Sequence, residues 1–167
     1  MGGDFLMNLA KKHNSEIIPI DSEHCGVHQS INGKDIKTVS KITLTCSGGP
    51  FHSLPKSEFK TINLKRALKH PVWKMGKKIS IDSATLMNKI FELIEAQKLF
   101  NLPESKLEIV IHPESLVHAI VTFKNGLTKF VYHDTSMIIP IANAIFDNDF
   151  KINSFFKKNK KFENLTF

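Results

Sequence analysis

The sequence is poor in cysteine and has no long apolar run, and both features exclude whole classes of protein. Only Cys25 and Cys46 occur in 167 residues. Neither has paired spacing or a His/Cys cluster around it, which argues against a disulfide scaffold or a zinc ribbon and favours a reducing cytoplasm. No stretch approaches the ~20 apolar residues of a membrane-spanning helix, and no signal peptide is visible. We therefore expect a cytoplasmic protein with no membrane partner and one core of ordinary size.

The 16 acidic residues are outnumbered by 23 lysines and arginines, so the formal net charge is +7. Much of the excess comes from lysines near the C-terminus, between residues 157 and 161. A basic balance favours anionic partners, such as a phosphorylated small molecule, a nucleotide or a nucleic acid. Lysine is abundant throughout the chain, so charge alone does not choose among them. There is no aromatic-studded basic strand and no recognition helix, so we expect no nucleic-acid partner.

The segment 78–96 has the pattern of a functional helix. Asp82 and Ser83 are favoured N-cap residues, and no Gly or Pro follows before Pro103, which predicts a helix over about residues 84–100. Apolar residues recur at three-to-four spacing and predict one buried side. These residues are Leu86, Met87, Ile90, Leu93, Ile94 and Leu99.

The other side of this predicted helix is polar. Asn88, Lys89 and Glu92 lie three or four positions apart, so an amide, an ammonium and a carboxylate share one patch. Ser83 lies at the positive end of the helix, where free N–H groups favour an anion. Two interpretations stay open: a ligand site, or a solvated face with an ordinary Lys89–Glu92 ion pair.

Two carboxylates follow a predicted short strand over residues 16–20. Asp21 and Glu23 are two positions apart, and in an extended segment such side chains point to the same side. Paired carboxylates fit Mg²⁺ or Mn²⁺ better than Zn²⁺. A metal site would need a third carboxylate from elsewhere, and an ordinary surface loop is the alternative.

A second polar loop follows the strand predicted over residues 42–45. Ser47-Gly48-Gly49 lets the backbone approach a ligand closely and present N–H groups to an anion. It is neither a Walker loop nor a dinucleotide fingerprint. Residues 52–77 then form a long excursion with a short helix at about 64–69 and the only tryptophan, Trp73. Glycines flank this segment, as in a lid that closes over a ligand; a packed surface loop is the alternative.

The remaining patterns predict helices around a sheet. Residues 1–15 read as an amphipathic helix, and a strand at 106–111 precedes a β-hairpin with strands at 116–123 and 127–132. A short helix is predicted over 140–146. Together these elements predict an α+β fold, with a mixed, mostly antiparallel sheet backed by helices and a long active-site lid loop.

Several unusual motifs occur together in one order and spacing. They are Ile20-Asp21-Ser22-Glu23-His24, Ser47-Gly48-Gly49-Pro50-Phe51, His70-Pro71 with Trp73 and Met75-Gly76, Lys78-Ile79-Ser80 with Asp82-Ser83-Ala84-Thr85 and Met87-Asn88-Lys89, and Ile111-His112-Pro113 with Ser115 and His118. In this order and spacing they resemble the 1-deoxy-D-xylulose 5-phosphate reductoisomerase family. The resemblance covers nearly all of residues 1–167.

The resemblance implies an oxidoreductase of the non-mevalonate route to isoprenoids. It would use NADPH and Mg²⁺ or Mn²⁺ to convert 1-deoxy-D-xylulose 5-phosphate, a phosphorylated sugar, into 2-C-methyl-D-erythritol 4-phosphate. Asp21, Glu23 and Glu92 would be the metal ligands and, with His70, the catalytic groups. Lys89 would face the substrate phosphate rather than neutralise Glu92.

The resemblance also implies a substrate site, a cofactor site and a homodimer. Met75 and Gly76 would lie at the cofactor. The substrate would be bound by Ser22, Glu23, Ser47, His70, Trp73, Ser83, Asn88, Lys89 and Glu92.

The expected division of the chain follows from the same resemblance. Residues 1–150 would be the catalytic domain, with 1–15 a lead-in helix from an NADPH-binding domain outside this sequence, and 151–167 would begin a linker to a C-terminal helical domain. Such a fragment would be inactive alone. Two alternatives stay open, a Mg²⁺-dependent phosphatase or nuclease and a basic binding or dimerisation module.

Overall fold

A computed structural model of the chain describes residues 2–146 and residue 151, and these residues form helices around one sheet. Residues 152–167 of the predicted linker, and residues 147–150 at the end of the predicted catalytic domain, lie outside the described residues. In chain order the elements are α1 (Gly3–Lys12), α2 (Ser22–Ile31), β1 (Val39–Cys46), α3 (Leu64–Ala67), α4 (Lys77–Ala84), α5 (Met87–Phe100), β2 (Leu107–Ile111), β3 (Val117–Phe123), β4 (Thr128–Tyr132) and α6 (Ile138–Phe146).

The four strands form one mixed sheet in the order β2-β1-β3-β4. β1 pairs with β2 in parallel, whereas the β1–β3 and β3–β4 pairs are antiparallel. This confirms the predicted α+β fold with a mostly antiparallel sheet, and β3 and β4 form the predicted hairpin. The parallel pair ends in register at Cys46 and Ile111. The loops that follow these two strands therefore leave the sheet at the same edge.

The apolar core lies between this sheet and the helices α2 and α5. Its fully buried members come from the strands β1 and β3 and from both helices: Ile42, Leu44, Ala119, Val121, Val27 and Ala96. Gly26 permits the close approach of α2 to β3, because a Cβ added there would lie 3.2 Å from the Cβ of Ala119. Burial of these residues on one face of the sheet holds the N-terminus of α2 beside α5.

The predicted strand over residues 16–20 is wrong, because these residues form no strand and lead directly into helix α2. The Asp21 side chain caps that helix by accepting from the backbone N–H groups of Glu23 and His24, at 3.1 and 3.3 Å. The sequence analysis missed this helix, since its residues include Gly26 and several weak helix formers. Asp21 and Glu23 are thus neighbours on a first helical turn, not on a strand.

The predicted single helix over residues 84–100 is two helices, α4 and α5. Leu86 between them has φ 61°, in the left-handed region, and α4 ends where the Thr85 hydroxyl donates to the Ile81 carbonyl at 3.0 Å. Asp82 and Ser83 therefore lie inside the last turns of α4 and are not N-caps. A hydrogen bond from a Thr side chain back to the preceding turn competes with continuation of the helix. The spacing of apolar residues carries no information about such a bond.

The predicted buried side of this segment is also wrong. Lys89, Glu92 and Ala96 are the buried residues of α5. The apolar residues Leu86, Met87, Ile90 and Ile94 are 42–49% exposed, and Leu93 and Leu99 are partly buried. The helix turns its charged side inward because that side meets partners on α2.

Residues 52–77 carry the predicted short helix as α3, preceded by a 3₁₀ turn at 56–61. Its mobility as a lid stays a prediction, which amide hydrogen exchange across residues 70–75 would test. None of the helices among residues 2–146 is long and apolar enough to cross a membrane.

Candidate active site

Three carboxylates from two helices converge at one point. Asp21 and Glu23 come from the first turn of α2 and Glu92 from the middle of α5, and each offers an oxygen within 4.8 Å of the others. His24 ties the two helices together, because its Nε2 donates to the Glu92 carbonyl at 2.8 Å. The predicted third carboxylate is therefore brought to the first two by helix packing.

Lys89 lies inside this cluster. Its Nζ is 3.3 Å from Glu23 Oε1 and forms an ion pair with Glu92 Oε2, and the residue is only 6% exposed. The prediction that Lys89 would not neutralise Glu92 is thus wrong for this structure. With three carboxylates in reach, an ammonium held so far from water must take the nearest anions as partners.

The cluster carries more carboxylates than cations, and the pKa values reflect this. Burial, reinforced by the charge of Glu23, raises the pKa of Asp21 to about 6 and also raises that of Glu92. Burial acts the same way on Glu23, but the Lys89 ammonium, His118 and the Ser22 hydroxyl outweigh it and hold the Glu23 pKa below its usual range. Burial opposes the charge on Lys89, yet the carboxylates raise its pKa.

This donor set fits a hard divalent cation. Oxygen ligands are those that Mg²⁺ and Mn²⁺ prefer. The charge of Glu23 adds to burial in raising the pKa values of Asp21 and Glu92, and a bound dication would offset that repulsion. Asp21, Glu23 and Glu92 could therefore hold the metal that the sequence analysis predicts.

The cluster opens into a cavity of about 170 Å³ at the edge where β1 and β2 end. All the predicted site residues except Gly76 line it, whereas Gly76 lies at the start of α4. The predicted residues on its wall are Asp21, Ser22, Glu23, Ser47, His70, Trp73, Met75, Ser83, Asn88, Lys89 and Glu92.

Ser47 and His70 form a hydrogen-bond chain in which the donor and the acceptor of each bond are defined. The backbone N–H groups of Val72 and Trp73 donate to His70 Nδ1 at 3.2 and 2.8 Å, so the ring proton is on Nε2 and is donated to Ser47 Oγ at 3.0 Å. Burial lowers the His70 pKa, which agrees with a neutral ring. Ser47 Oγ also accepts from the Gly49 N–H at 3.1 Å. Its own O–H is left to donate to an anion in the cavity.

Gly49 packs this loop against the end of α4. Its φ is +72°, and a Cβ there would lie 2.7 Å from the Ser83 carbonyl oxygen. Glycine is thus required for the approach that sets Ser47 and Ser83 on one wall. The Gly49 N–H is used by Ser47, so this part of the loop offers a hydroxyl rather than the predicted free N–H.

Comparison with known proteins identifies the family. The family model described as the 1-deoxy-D-xylulose 5-phosphate reductoisomerase C-terminal domain matches residues 17–100, half of the chain. The chain belongs to the 1-deoxy-D-xylulose 5-phosphate reductoisomerase family. The predicted resemblance is therefore confirmed.

Curated relatives of the family show high identity. The chain is 50% identical to the 1-deoxy-D-xylulose 5-phosphate reductoisomerase of Pelagibacter ubique over 154 residues, which is 92% of this chain and 40% of that protein. It is 56% identical to the protein of the same name from Persephonella marina over 131 residues, 78% of this chain and 35% of the relative. The chain thus spans about 40% of the length of the curated relatives it matches.

Solved structures of the reductoisomerase family agree with the fold. A crystal structure of DOX-P reductoisomerase in complex with NADPH, fosmidomycin and magnesium matches with a TM-score of 0.90 and 38% identity, over 99% of this chain and 43% of that one. The Zymomonas mobilis enzyme in complex with NADPH matches with a TM-score of 0.78 and 37% identity, over 86% of this chain and 36% of that one.

The cavity of this family member also has lining residues to which the sequence analysis gave no role. Ser115 has φ 52° and a buried Oγ without a hydrogen-bond partner among the described residues. It follows β2, and the parallel pairing of β1 with β2 brings it to the loop after β1. The other such residues are Cys46, Lys74, Ile79, Leu86 and Met137. If the sequence analysis had predicted that β1 and β2 pair in parallel, it would have placed Ser115, in the loop after β2, beside the loop after β1.

Proposed function

We propose that this chain supplies the metal- and substrate-binding groups for the NADPH-dependent conversion of 1-deoxy-D-xylulose 5-phosphate into 2-C-methyl-D-erythritol 4-phosphate. The observation that carries the proposal is the convergence of Asp21, Glu23 and Glu92 in a cavity with hydroxyl and amide groups on its wall. The names of the relatives and the NADPH and magnesium in the solved complexes support the same reaction.

The carboxylates would hold Mg²⁺ or Mn²⁺, which when bound supplies Lewis-acid polarisation of neighbouring substrate oxygens. The Ser22 hydroxyl donates to Glu23 Oε2 at 2.7 Å and so orients that carboxylate. Asn88 donates to Glu92 Oε1 and restrains the second one. The chain therefore fixes its carboxylates from outside the cluster, as a preorganised metal site requires.

The substrate phosphate would lie against Ser47, Ser83, Asn88 and Lys89. Ser47 is the clearest donor, because both of its acceptor positions are occupied by His70 and Gly49. His70 then acts on the phosphate through Ser47. The Lys89 ammonium lines the same cavity, and once a dication neutralises the carboxylates it would be available to a phosphate oxygen.

Trp73 and Met75 would cover the reacting groups and exclude water. Both side chains line the cavity from the segment that ends at α4. Gly76, which precedes that helix, leaves open space for a neighbouring group because no heavy atom lies within 4 Å of a Cβ built there. We assign Met75 and Gly76 to the nicotinamide side of the site on this ground.

The metal assignment is tested by calorimetric titration of the chain with Mn²⁺. We expect Glu92→Gln to weaken binding at least about tenfold, since one of three ligands is lost. Glu104→Gln is the control, at an exposed position just after the same helix, and it should leave the affinity unchanged. Unchanged Mn²⁺ affinity in Glu92→Gln would remove the proposed metal site.

The substrate assignment is tested by titrating the Mn²⁺-loaded chain with 1-deoxy-D-xylulose 5-phosphate. Ser47→Ala should weaken substrate binding and leave Mn²⁺ affinity intact, because the hydroxyl contacts none of the carboxylates. Ser53→Ala, at an exposed position of the same loop region, is the control. Equal substrate affinity in both variants would contradict a phosphate site at Ser47. The relatives and solved structures described above give no support to the alternative of a Mg²⁺-dependent phosphatase or nuclease.

We also propose that the protein is a cytoplasmic homodimer. In each subunit, residues 1–150 would form the catalytic domain. Apolar side chains stay exposed on α5 and on β4, among them Phe91 at 44% and Phe130 at 56%, and an interface would cover them. Both cysteines are free thiols, which suits a reducing compartment. Sedimentation equilibrium of Phe130→Ser against the unaltered chain tests the dimer.

A further inference from the structure

Two buried histidines behind the carboxylate cluster have no role in the function proposed above. His118 on β3 is 1% exposed, and His133, just after β4, is 8% exposed. Their rings stack with centroids 3.7 Å apart and an interplanar angle of 17°. A parallel stack of two imidazoles inside a protein needs an explanation, because each ring carries polar nitrogens that burial penalises.

Each ring is oriented by a backbone carbonyl. His118 Nε2 donates to the His133 carbonyl at 3.2 Å, and His133 Nδ1 donates to the Asp134 carbonyl at 2.7 Å. A carbonyl oxygen only accepts, so these nitrogens carry the protons. Of the second nitrogens, His133 Nε2 has no hydrogen-bond partner among the described residues, and His118 Nδ1 faces Glu23.

The second nitrogen of the His118 ring, Nδ1, is directed at the carboxylate cluster. His118 Nδ1 lies 3.9 Å from Glu23 Oε1. The Trp73 ring lies at 68° to the same ring, with the two centroids 6.1 Å apart. His118 therefore lies between the cluster and His133, and a rotation of its ring would change what Glu23 meets on that side.

We propose that His133 is a positioning residue for the Glu23 carboxylate and acts through His118. His133 holds the His118 ring twice, by stacking on its face and by accepting from its Nε2. Burial, with the neighbouring His118, lowers the pKa of His133 to about 4, so the stacking ring is neutral at pH 7. The inference rests on the proposed function only in that Glu23 is taken as a metal ligand.

The test compares His133→Phe with His133→Leu and His133→Ala. Phe preserves a neutral stacking ring and the main-chain carbonyl, whereas Leu fills the space without an aromatic face and Ala leaves it open. His13→Ala is the matched control, since His13 is an exposed histidine at the end of α1. Thermal unfolding of each variant shows that it is folded, and the Leu variant serves if the Ala variant is not.

The first measurement is made on the metal-free chain. Nitrogen-15 spectra of the histidine rings should show a slowly exchanging Nε2–H of His118 in the unaltered chain, in His133→Phe and in His13→Ala. His133→Leu and His133→Ala should lose that protection, because the ring can then tilt away from the carbonyl. Equal protection in the Leu variant would overturn the proposal, as would equal loss in the Phe variant.

The second measurement is the Mn²⁺ dissociation constant. His133→Leu and His133→Ala should bind Mn²⁺ about tenfold more weakly, the usual effect of losing an outer-shell partner, while His133→Phe stays within about twofold of the unaltered chain. A lower melting temperature with unchanged Mn²⁺ affinity would show a purely structural role and overturn the proposal. If the unaltered chain binds no Mn²⁺, the proposed metal function fails, and the ring spectra alone decide the positioning role.

Discussion

The apolar core and the carboxylate cluster are both buried, yet they are held by different forces. Ile42, Leu44 and Val121 are fully buried between sheet and helices, and leaving water stabilises each of them by about 1.5–3 kcal/mol. Glu92 and Lys89 are buried to a similar degree, but their desolvation costs free energy that only their mutual contacts offset. The core therefore stabilises the fold, and the cluster is kept in place by it.

The largest effect should follow from breaking the cluster. Lys89→Met removes its buried cation and leaves the carboxylates facing one another, so we expect a loss of about 4 kcal/mol in the free energy of unfolding at pH 7. Lys98→Met is the control on the same helix, because Lys98 forms an exposed pair with Asp4 at 2.9 Å, which is worth less than about 1 kcal/mol. Urea denaturation measures both, and equal losses would show that burial of the pair does not matter.

A core truncation should cost slightly less and leave the cluster unaffected. Leu44→Ala opens a cavity between β1 and the helices and should lower the free energy of unfolding by about 3 kcal/mol. Leu127→Ala, at a position 57% exposed in the hairpin turn, should change it by less than about 0.5 kcal/mol. In the folded Leu44→Ala chain Mn²⁺ affinity should be retained. A tenfold loss would show that core and cluster are coupled.

The histidine stack should make stability depend on pH. The His133 pKa is lowered from 6.5 to about 4 by burial, so the unfolded chain takes up this proton at higher pH than the folded chain. Its contribution is complete above pH 6.5 and is lost as pH falls from 6.5 towards 4. The loss amounts to as much as about 3 kcal/mol. Unfolding of His133→Phe should lack this part of the pH dependence; identical profiles would contradict it.

The smallest effect should come from the contact that joins the two regions. Gly26→Ala places a methyl group 3.2 Å from the Ala119 Cβ, and separation of α2 from β3 should cost about 1 kcal/mol. The same shift moves Glu23 relative to Glu92. The loss in the free energy of Mn²⁺ binding should therefore exceed the loss in the free energy of unfolding. Gly33→Ala would be a poor control because Gly33 has φ +72°. Gly2→Ala, with open space around it, is suitable.

The elements predicted well are those whose pattern is local. The strand β1 and the strands of the β3–β4 hairpin have alternating or continuous apolar residues, and turn residues such as Asn125 and Gly126 bound them. Residues close in sequence therefore specify these strands. The three carboxylates predicted as metal ligands also lie together in the structure, and they were selected because their motifs resemble a family. Their proximity was explained wrongly, since Asp21 and Glu23 lie on a helical turn.

By itself the sequence determined the four strands of the sheet, the hairpin and the list of polar groups that line the cavity. Only the tertiary structure decided the break at Leu86, the inward side of α5, and the stack of His118 on His133. The physical reason is that a buried charge needs a partner. Lys89 and Glu92 face inward because Glu23 arrives from α2, and no periodicity within α5 can show what another helix brings.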